Sequence, residues 1–216
     1  MRIRVKLIYI IVHLLTYYVN DMTPCRNLLE ELIEMSGIKV LGIVGSPRRY
    51  GNTETIVDKV LEGAKEAGAE VEKVILNDLE VEPCQACDAC SSSGLCSISD
   101  DMVQIYDKMR ESSVFIYGTP VYYWGPTAQF KAFMDRLLAA SKQGIIKNKK
   151  VILVVPLGGS EPVARHTVGM ITDSVNYLGA EIVAKIIAPN TMDNKDLKKE
   201  ILEKALHAGK DVVKKS

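Results

Sequence analysis

At 216 residues the chain fits one domain, or one domain with an appendage, and is long enough for a substantial core but too short for a second full domain. Apolar residues make up 47% and charged residues 25%, an ordinary globular composition. Lysine plus arginine and aspartate plus glutamate both number 27, so a net charge of zero and a pI near 6.8 give no electrostatic reason to bind nucleic acid or an anionic membrane.

The N-terminal residues 7–19 form an apolar run behind Arg2, Arg4 and Lys6. It resembles a signal peptide only superficially. The run is too short to span a bilayer comfortably, no small-residue cleavage pattern follows, and Met22-Thr-Pro-Cys25 is a poor lipoprotein signal. Met35-Ser-Gly-Ile-Lys-Val-Leu-Gly-Ile-Val-Gly-Ser, by contrast, reads as the natural opening of an α/β domain. Residues 1–36 are therefore expected to be an extension, either an upstream-start artefact or a loosely attached helix, with a membrane anchor as the alternative. Residues 37–216 are the expected folded domain. Cys25 reads as an incidental thiol.

From Ile38 onward short apolar runs alternate with amphipathic stretches, the pattern of βαβ units around a parallel sheet. Strands are predicted at Lys39–Val44, Glu70–Leu76, Ser113–Tyr117, Lys150–Val155 and Glu181–Ile187, rich in Val and Ile as doubly buried strands are. Helices are predicted at 53–67, 100–111, 126–141, 161–178 and 194–214. Asn52 and Ser99 are candidate caps, with Asp100 and Asp101 in a first turn where the helix dipole favours negative charge. The long irregular stretch, 77–99, is the length at which loops are functional or disordered.

The first strand runs into Gly45-Ser-Pro-Arg-Arg-Tyr-Gly-Asn-Thr53 and then a helix. Backbone amides at such a helix start form an anion site, and Ser46, Thr53, Asn52 and an arginine, Arg48 or Arg49, suit a terminal phosphate. The loop matches neither a P-loop NTPase nor a dinucleotide Rossmann fingerprint. An ordinary polar turn has the same residue types. Two further loops strengthen the ligand reading. Gly118-Thr-Pro-Val-Tyr-Tyr-Trp-Gly-Pro126 follows the third strand and offers flat surfaces for a planar ring, and Pro156-Leu-Gly-Gly-Ser160 follows the fourth and admits close backbone approach. All three fall on one edge of a parallel sheet, where open α/β folds bind ligands.

Cys84, Cys87, Cys90 and Cys96 form C-x2-C-x2-C-x5-C behind Pro83. Three thiolates at intervals of three can wrap one cubane, and the Ser-Ser-Ser-Gly arm lets the fourth close it, which points to a [4Fe–4S] cluster. Zinc, which more often uses two C-x2-C knuckles set well apart, is the alternative, and disulfides would need an oxidising compartment. His13, His166 and His207 are scattered, and no Ser-His-Asp or paired-carboxylate arrangement is present.

Together, G-S-P-R-x-x-G-N-T, T-P-V-Y-Y-W-G and Lys131-Ala-Phe-Met-Asp-Arg136 resemble the NADPH-dependent FMN reductase superfamily of flavodoxin-like proteins. Within it, the cysteine insertion resembles the iron–sulfur flavoproteins of anaerobic archaea and bacteria. The resemblance covers residues 37–190 and the last helix. It implies an α/β, flavodoxin-like five-stranded parallel sheet of order 2-1-3-4-5, helices on both faces and the cysteine loop after strand 2. Ser46, Arg48, Asn52 and Thr53 would hold the FMN phosphate. Pro120, Val121, Tyr122, Tyr123, Trp124, Gly158 and Gly159 would line the flavin ring. Asp135 and Arg136 read as a structural ion pair. No side chain is expected to act as a catalytic acid or base. The resemblance further implies a homodimer or homotetramer, with ferredoxin as electron donor and the cluster of one subunit facing the flavin of another, and the protein is expected to be cytoplasmic. The alternatives are an NAD(P)H-dependent FMN or quinone reductase carrying structural zinc, and a non-enzymatic redox-sensing module.

Overall fold

In the computed structural model, which describes residues 37–192 and 197–215, β1 (Lys39–Val44) buries nearly every side chain and sits inside a parallel sheet. On one side it pairs with β2 (Glu70–Ile75), Lys39 opposite Glu70. On the other it pairs with β3 (Val114–Gly118), Val40 opposite Val114. The sheet continues through β4 (Lys150–Pro156) to β5 (Glu181–Ala188), giving the order β2-β1-β3-β4-β5. This is the flavodoxin-like order expected from the sequence. Between Val151 and Ile152 of β4 the register with β5 slips by one residue, so that Ile182 and Ala184 are successive partners and Val183 is skipped.

Period-two alternation along the strands feeds two cores, one on each face. Val40, Val44, Val114, Ile116, Ile152, Val154 and Ile186 pack under α1 (Asn52–Glu66) and α6 (Lys199–Lys214). Leu41, Ile43, Phe115, Tyr117, Val151, Leu153 and Val155 face α3 (Met102–Glu111), α4 (Ala128–Lys142) and α5 (Arg165–Tyr177). Phe115 and Tyr117 stack at 5.9 Å, and Phe130 and Phe133 of α4 meet Tyr117 edge-on at 5.8 and 5.7 Å. Residues 38–216 form one compact unit. The expectations for residues 1–36 lie outside the described residues. Among those described, no helix is long and apolar enough to cross a membrane.

The elements depart from the sequence expectation mostly at their ends. Asn52 is the first helical residue rather than the cap, which is Gly51, and α1 has no side-chain cap. Ser99 does not cap α3; the Asp100 carboxylate accepts from the Met102 amide instead, at 3.1 Å. The stretch predicted to be irregular contains a short helix, α2 (Ala89–Ser93), and the helix predicted from 161 begins with a 3-10 turn, Glu161–Ala164.

Two glycines set the closeness of α1 and α6. A methyl group at Gly63 would overlap the Leu206 carbonyl oxygen, and one at Gly209 would overlap the Val60 carbonyl oxygen. Backbone cannot swing aside as a flexible side chain can. Gly209→Ala is therefore expected to destabilise by about 2 kcal/mol, in the range of overpacked cores, and to lower the melting temperature by about 6 °C. At Gly169, inside α5, nothing lies within 4 Å of an added methyl, and Gly169→Ala should stabilise by about 0.5–1 kcal/mol. Thermal denaturation of the two variants checks both signs.

Candidate functional site

At the carboxyl edge of β1, β3 and β4 lies a cleft of about 260 Å³ lined by Ser46, Arg48, Gly51, Asn52, Thr53, Pro120, Val121, Tyr122, Pro156, Leu157, Gly158, Thr191 and Met192. The strand order reverses here, between β1 and β3, the crevice where open α/β sheets take ligands. The volume is below the usual range of small-molecule sites, so the cleft can enclose one polar end of a ligand and leave a larger group at its rim. A bigger hollow of about 540 Å³ lies between β5 and α6, but it is lined by lysines and carboxylates of both signs and has no helix start.

The phosphate-type loop is built from buried polar contacts. Ser46, Asn52 and Thr53 are buried, and Gly51 supplies no side-chain cap at the start of α1, the kind of helix N-terminus that suits an anion. Glu54, also buried, reaches back one turn and accepts from the Tyr50 amide at 2.5 Å, holding Tyr50 in a left-handed conformation at φ 56°. Lys73 of β2 donates to the other Glu54 oxygen at 2.9 Å. Arg49 turns away to Asp78, 2.8 Å away, leaving Arg48 as the arginine that lines the cleft. The Asn52 side-chain amide donates to the Thr191 carbonyl at 2.8 Å, tying the loop to the segment after β5. On α4, the Thr127 hydroxyl caps the helix through the Phe130 amide and donates to the Gly45 carbonyl at 2.5 Å.

The aromatic segment after β3 is a tight hairpin, closed by reciprocal Tyr122 and Gly125 backbone bonds of 2.8 and 3.0 Å. Tyr123 and Trp124 occupy its two central positions at φ 48° and 65°, a primed turn that ordinarily takes Asn or Gly. Each non-glycine residue held there costs about 1–2 kcal/mol, and the Thr167 hydroxyl helps hold the turn by donating to the Trp124 carbonyl at 3.1 Å. Pro120, Val121 and Tyr122 line the cleft. Tyr123, 95% exposed, and Trp124, half exposed, are not among the residues that line it. Gly158 lines the cleft with the Met192 thioether against it, while Gly159 lies outside.

Sequence reasoning picked out the loops that carry Gly51, Pro156 and Leu157 without naming these three as site residues, and it missed Thr191 and Met192. Topology carried a signal for the last two, because the segment after a fifth parallel strand must emerge on the same edge as the other strand ends.

The cysteine loop leaves the same edge after β2, through the 3-10 turn Leu76–Asp78. Its start touches both neighbouring loops' supports, Asp78 through Arg49 and Asn77 through the Gln129 side chain at 3.1 Å. Cys84 and Cys87 are exposed, whereas Cys90 and Cys96 are half-buried against the α4 side of the core, and none of the four is in a disulfide. Bonding to the Ser97 hydroxyl, 3.1 Å away, and to the Ala89 amide pulls the Cys87 thiol below its usual range; burial pushes Cys90 up. Ala86 and Asp88 flank Cys87 in left-handed conformations, φ 53° and 58°. Among the described residues, no three histidine, cysteine, aspartate or glutamate side chains converge as tightly as a single bound metal ion requires. Four unpaired thiols on one 13-residue stretch nonetheless form a soft donor set suited to iron–sulfur or zinc chemistry.

Asp135 and Arg136 do not pair with each other, contrary to expectation. Adjacent positions on a helix point about 100° apart. Asp135 meets Lys131 one turn away at 2.6 Å, on the surface. Arg136 is buried, and its guanidinium forks onto the Asp100 carboxylate at 2.7 and 2.9 Å. Burial opposes the charge on each, but the mutual bonds outweigh it, holding Asp100 below the usual carboxylate range and Arg136 above its ordinary value.

Fold and site define a flavodoxin-like α/β protein with a polar-floored cleft and a cysteine-rich loop on one edge. A family model described as NADPH-dependent FMN reductase matches residues 38–191, and the chain belongs to that family. It is similar to an iron–sulfur flavoprotein of Methanosarcina thermophila, 42% identical over 123 residues, covering 57% of this chain and 64% of the relative. It is also similar to one of Methanocaldococcus jannaschii, 46% identical over 99 residues, covering 46% of this chain and 51% of the relative. These alignments thus span one half to two thirds of the relatives' own length. Among solved structures, an NAD(P)H:quinone oxidoreductase from Methanothermobacter marburgensis superposes with a TM-score of 0.68 at 18% identity, covering 82% of this chain and 96% of that one, a likeness of fold.

For Glu54, burial favours the neutral acid, but Lys73 and the Tyr50 amide outweigh it and the folded carboxyl titrates below its ordinary value. A lowered pKa contributes stability that is present above the unfolded value, about 4.3, and is lost as pH falls through the folded value. Glu54→Gln should cost about 1–3 kcal/mol at pH 7, and its deficit against the parent should shrink as pH drops below about 4. Denaturant midpoints measured for both proteins between pH 7 and 3 check this.

Proposed function

We propose that this chain is an electron-transfer flavoprotein with two centres. FMN would be held in the cleft, and a [4Fe–4S] cluster by Cys84, Cys87, Cys90 and Cys96. The observation that carries the reading is the shared edge: an uncapped helix start with buried hydroxyls and Arg48, and a four-thiol loop anchored beside it. The iron–sulfur flavoprotein relatives support the same assignment.

When bound, a cluster that exchanges one electron and a flavin that exchanges one or two would together couple a one-electron carrier to a two-electron acceptor. The chain's own work is binding and positioning. The amides of Asn52 and Thr53, the Ser46 and Thr53 hydroxyls and the Arg48 guanidinium would hold the phosphate. Pro120, Val121, Tyr122 and Gly158 would bound the ring, with Thr191 and Met192 closing the opposite side. Tyr117, buried among Phe115, Phe130 and Phe133 with its hydroxyl unbonded, is pushed by burial well above its usual range and gives no accessible proton. Ferredoxin is the proposed donor, acting on a cytoplasmic homodimer or homotetramer in which one subunit's cluster serves its neighbour's flavin.

The family description supports a second reading, an NAD(P)H-dependent reductase whose cysteines hold zinc. The content of anaerobically purified protein separates the two. About four iron, four sulfide and one FMN per chain are expected. About one zinc and no sulfide beside the FMN, with steady NAD(P)H oxidation, would replace this reading by the second.

A further inference from the structure

We propose that Arg136 and Asp100 form a clasp that shuts the base of the cysteine loop and positions its thiols, an inference that rests on the iron–sulfur reading for its consequence but not for its geometry. The two Nη atoms of Arg136 divide between the loop's ends. One donates to the Glu82 carbonyl at 2.8 Å and the other toward the Ile98 carbonyl at 3.4 Å, while both grip Asp100. Glu82 lies two residues before Cys84, and Ile98 two residues after Cys96. Asp100 completes the closure by accepting from the Glu82 amide at 2.9 Å. Asp101 repeats it one step lower: its carboxylate accepts from the Glu80 amide at 2.8 Å, and its own amide donates to the Glu80 carbonyl at 3.0 Å. The two strands of the loop base are thus zipped over 80–82 and 98–101.

A buried ion pair is a poor source of net stability, because desolvation offsets the attraction, and replacing both partners by apolar side chains is often neutral. Position is what this one supplies. Arg136 sits 2% exposed on α4, a helix rooted in the core by Phe130, Phe133 and Leu137, so the clasp transmits the rigidity of the core to a loop that has few apolar contacts of its own. The chain has no lysine or arginine between Lys73 and Lys108, so the cation that holds the loop must come from elsewhere, and α4 brings it. A planar guanidinium spreads its donors over two nitrogens and so matches a bidentate carboxylate with a carbonyl on either side; an ammonium concentrates its donors on one atom and cannot span the same four acceptors in this geometry. Closing the loop before metal arrives removes its closure entropy from the cost of assembling the ligand set.

The test uses the full chain with Arg136→Met, Arg136→Lys and Asp100→Asn, and the double variant Asp100→Leu with Arg136→Met, in which the pair is replaced by apolar groups. Iron, sulfide and FMN per chain are measured, together with the melting temperature and the alkylation rates of Cys90 and Cys96 in cluster-free protein. The clasp predicts several-fold loss of iron and sulfide in every variant. In the double variant, FMN content and melting temperature should stay near parental values, and alkylation of Cys90 and Cys96 should run at least about tenfold faster. Arg136→Lys should remain defective despite its charge. Faster alkylation in the variants than in a parent that itself carries no iron or sulfide would uphold the clasp and sink the iron–sulfur reading. Parental alkylation rates with full iron content would overturn the clasp. So would restoration by lysine, or parallel loss of FMN, iron and melting temperature in the double variant.

Discussion

In a parallel sheet every strand must be left at the same edge, because the chain has to cross back over a face before the next strand can begin. The placement of every candidate site element in this protein follows from that constraint. The phosphate-type loop after β1, the cysteine loop after β2, the hairpin after β3, the Gly158 turn after β4 and Thr191–Met192 after β5 reach one edge without any one loop being long enough to search for another. The reversal of order between β1 and β3 opens the crevice among them.

An edge alone would leave flexible loops, and buried polar groups fix each one. Glu54 draws Tyr50 into its left-handed turn, Thr127 ties Gly45 to the start of α4, Asn52 joins the first loop to the last, and the Asp100–Arg136 pair closes the base of the cysteine loop. Each is a group that is expensive to bury and therefore tolerates few alternative partners. Their common effect is on geometry more than on stability. The apolar layers on both faces of the sheet supply the driving force, and the polar ties spend part of it on specifying where five loops stand.

The fold was legible because β1, β3 and β4 are buried on both faces and so read as near-continuous apolar runs, with amphipathic helices between them. Boundaries were less so. Asn52 looks like a cap, but a glycine one residue earlier takes that place and frees the asparagine amide for Thr191. An arginine in the first loop was legible because the loop runs into a helix start, and the resemblance singled out Arg48. The contact that turns Arg49 away, to Asp78 beyond the next strand, has no local signature. Tyr123 and Trp124 were read as ring-lining residues from the aromatic run; what the run did not reveal is that they occupy the centre of a primed turn, outside the lining of the cleft itself. Arg136 was read with its sequence neighbour because a D-R dipeptide looks like a pair. Its true partner lies 36 residues earlier, and no local pattern reveals a contact made by packing α4 against the start of α3.

A reductive titration of the anaerobic holoprotein with a one-electron reductant, followed by visible absorbance and electron paramagnetic resonance, tests most directly whether two redox centres share this scaffold. The account predicts uptake of about three electrons per chain, two assigned to flavin bleaching and one to a paramagnetic cluster signal that is lost with Cys90→Ala. Uptake of about two electrons, with flavin bleaching alone and no paramagnetic iron signal at full reduction, would contradict it.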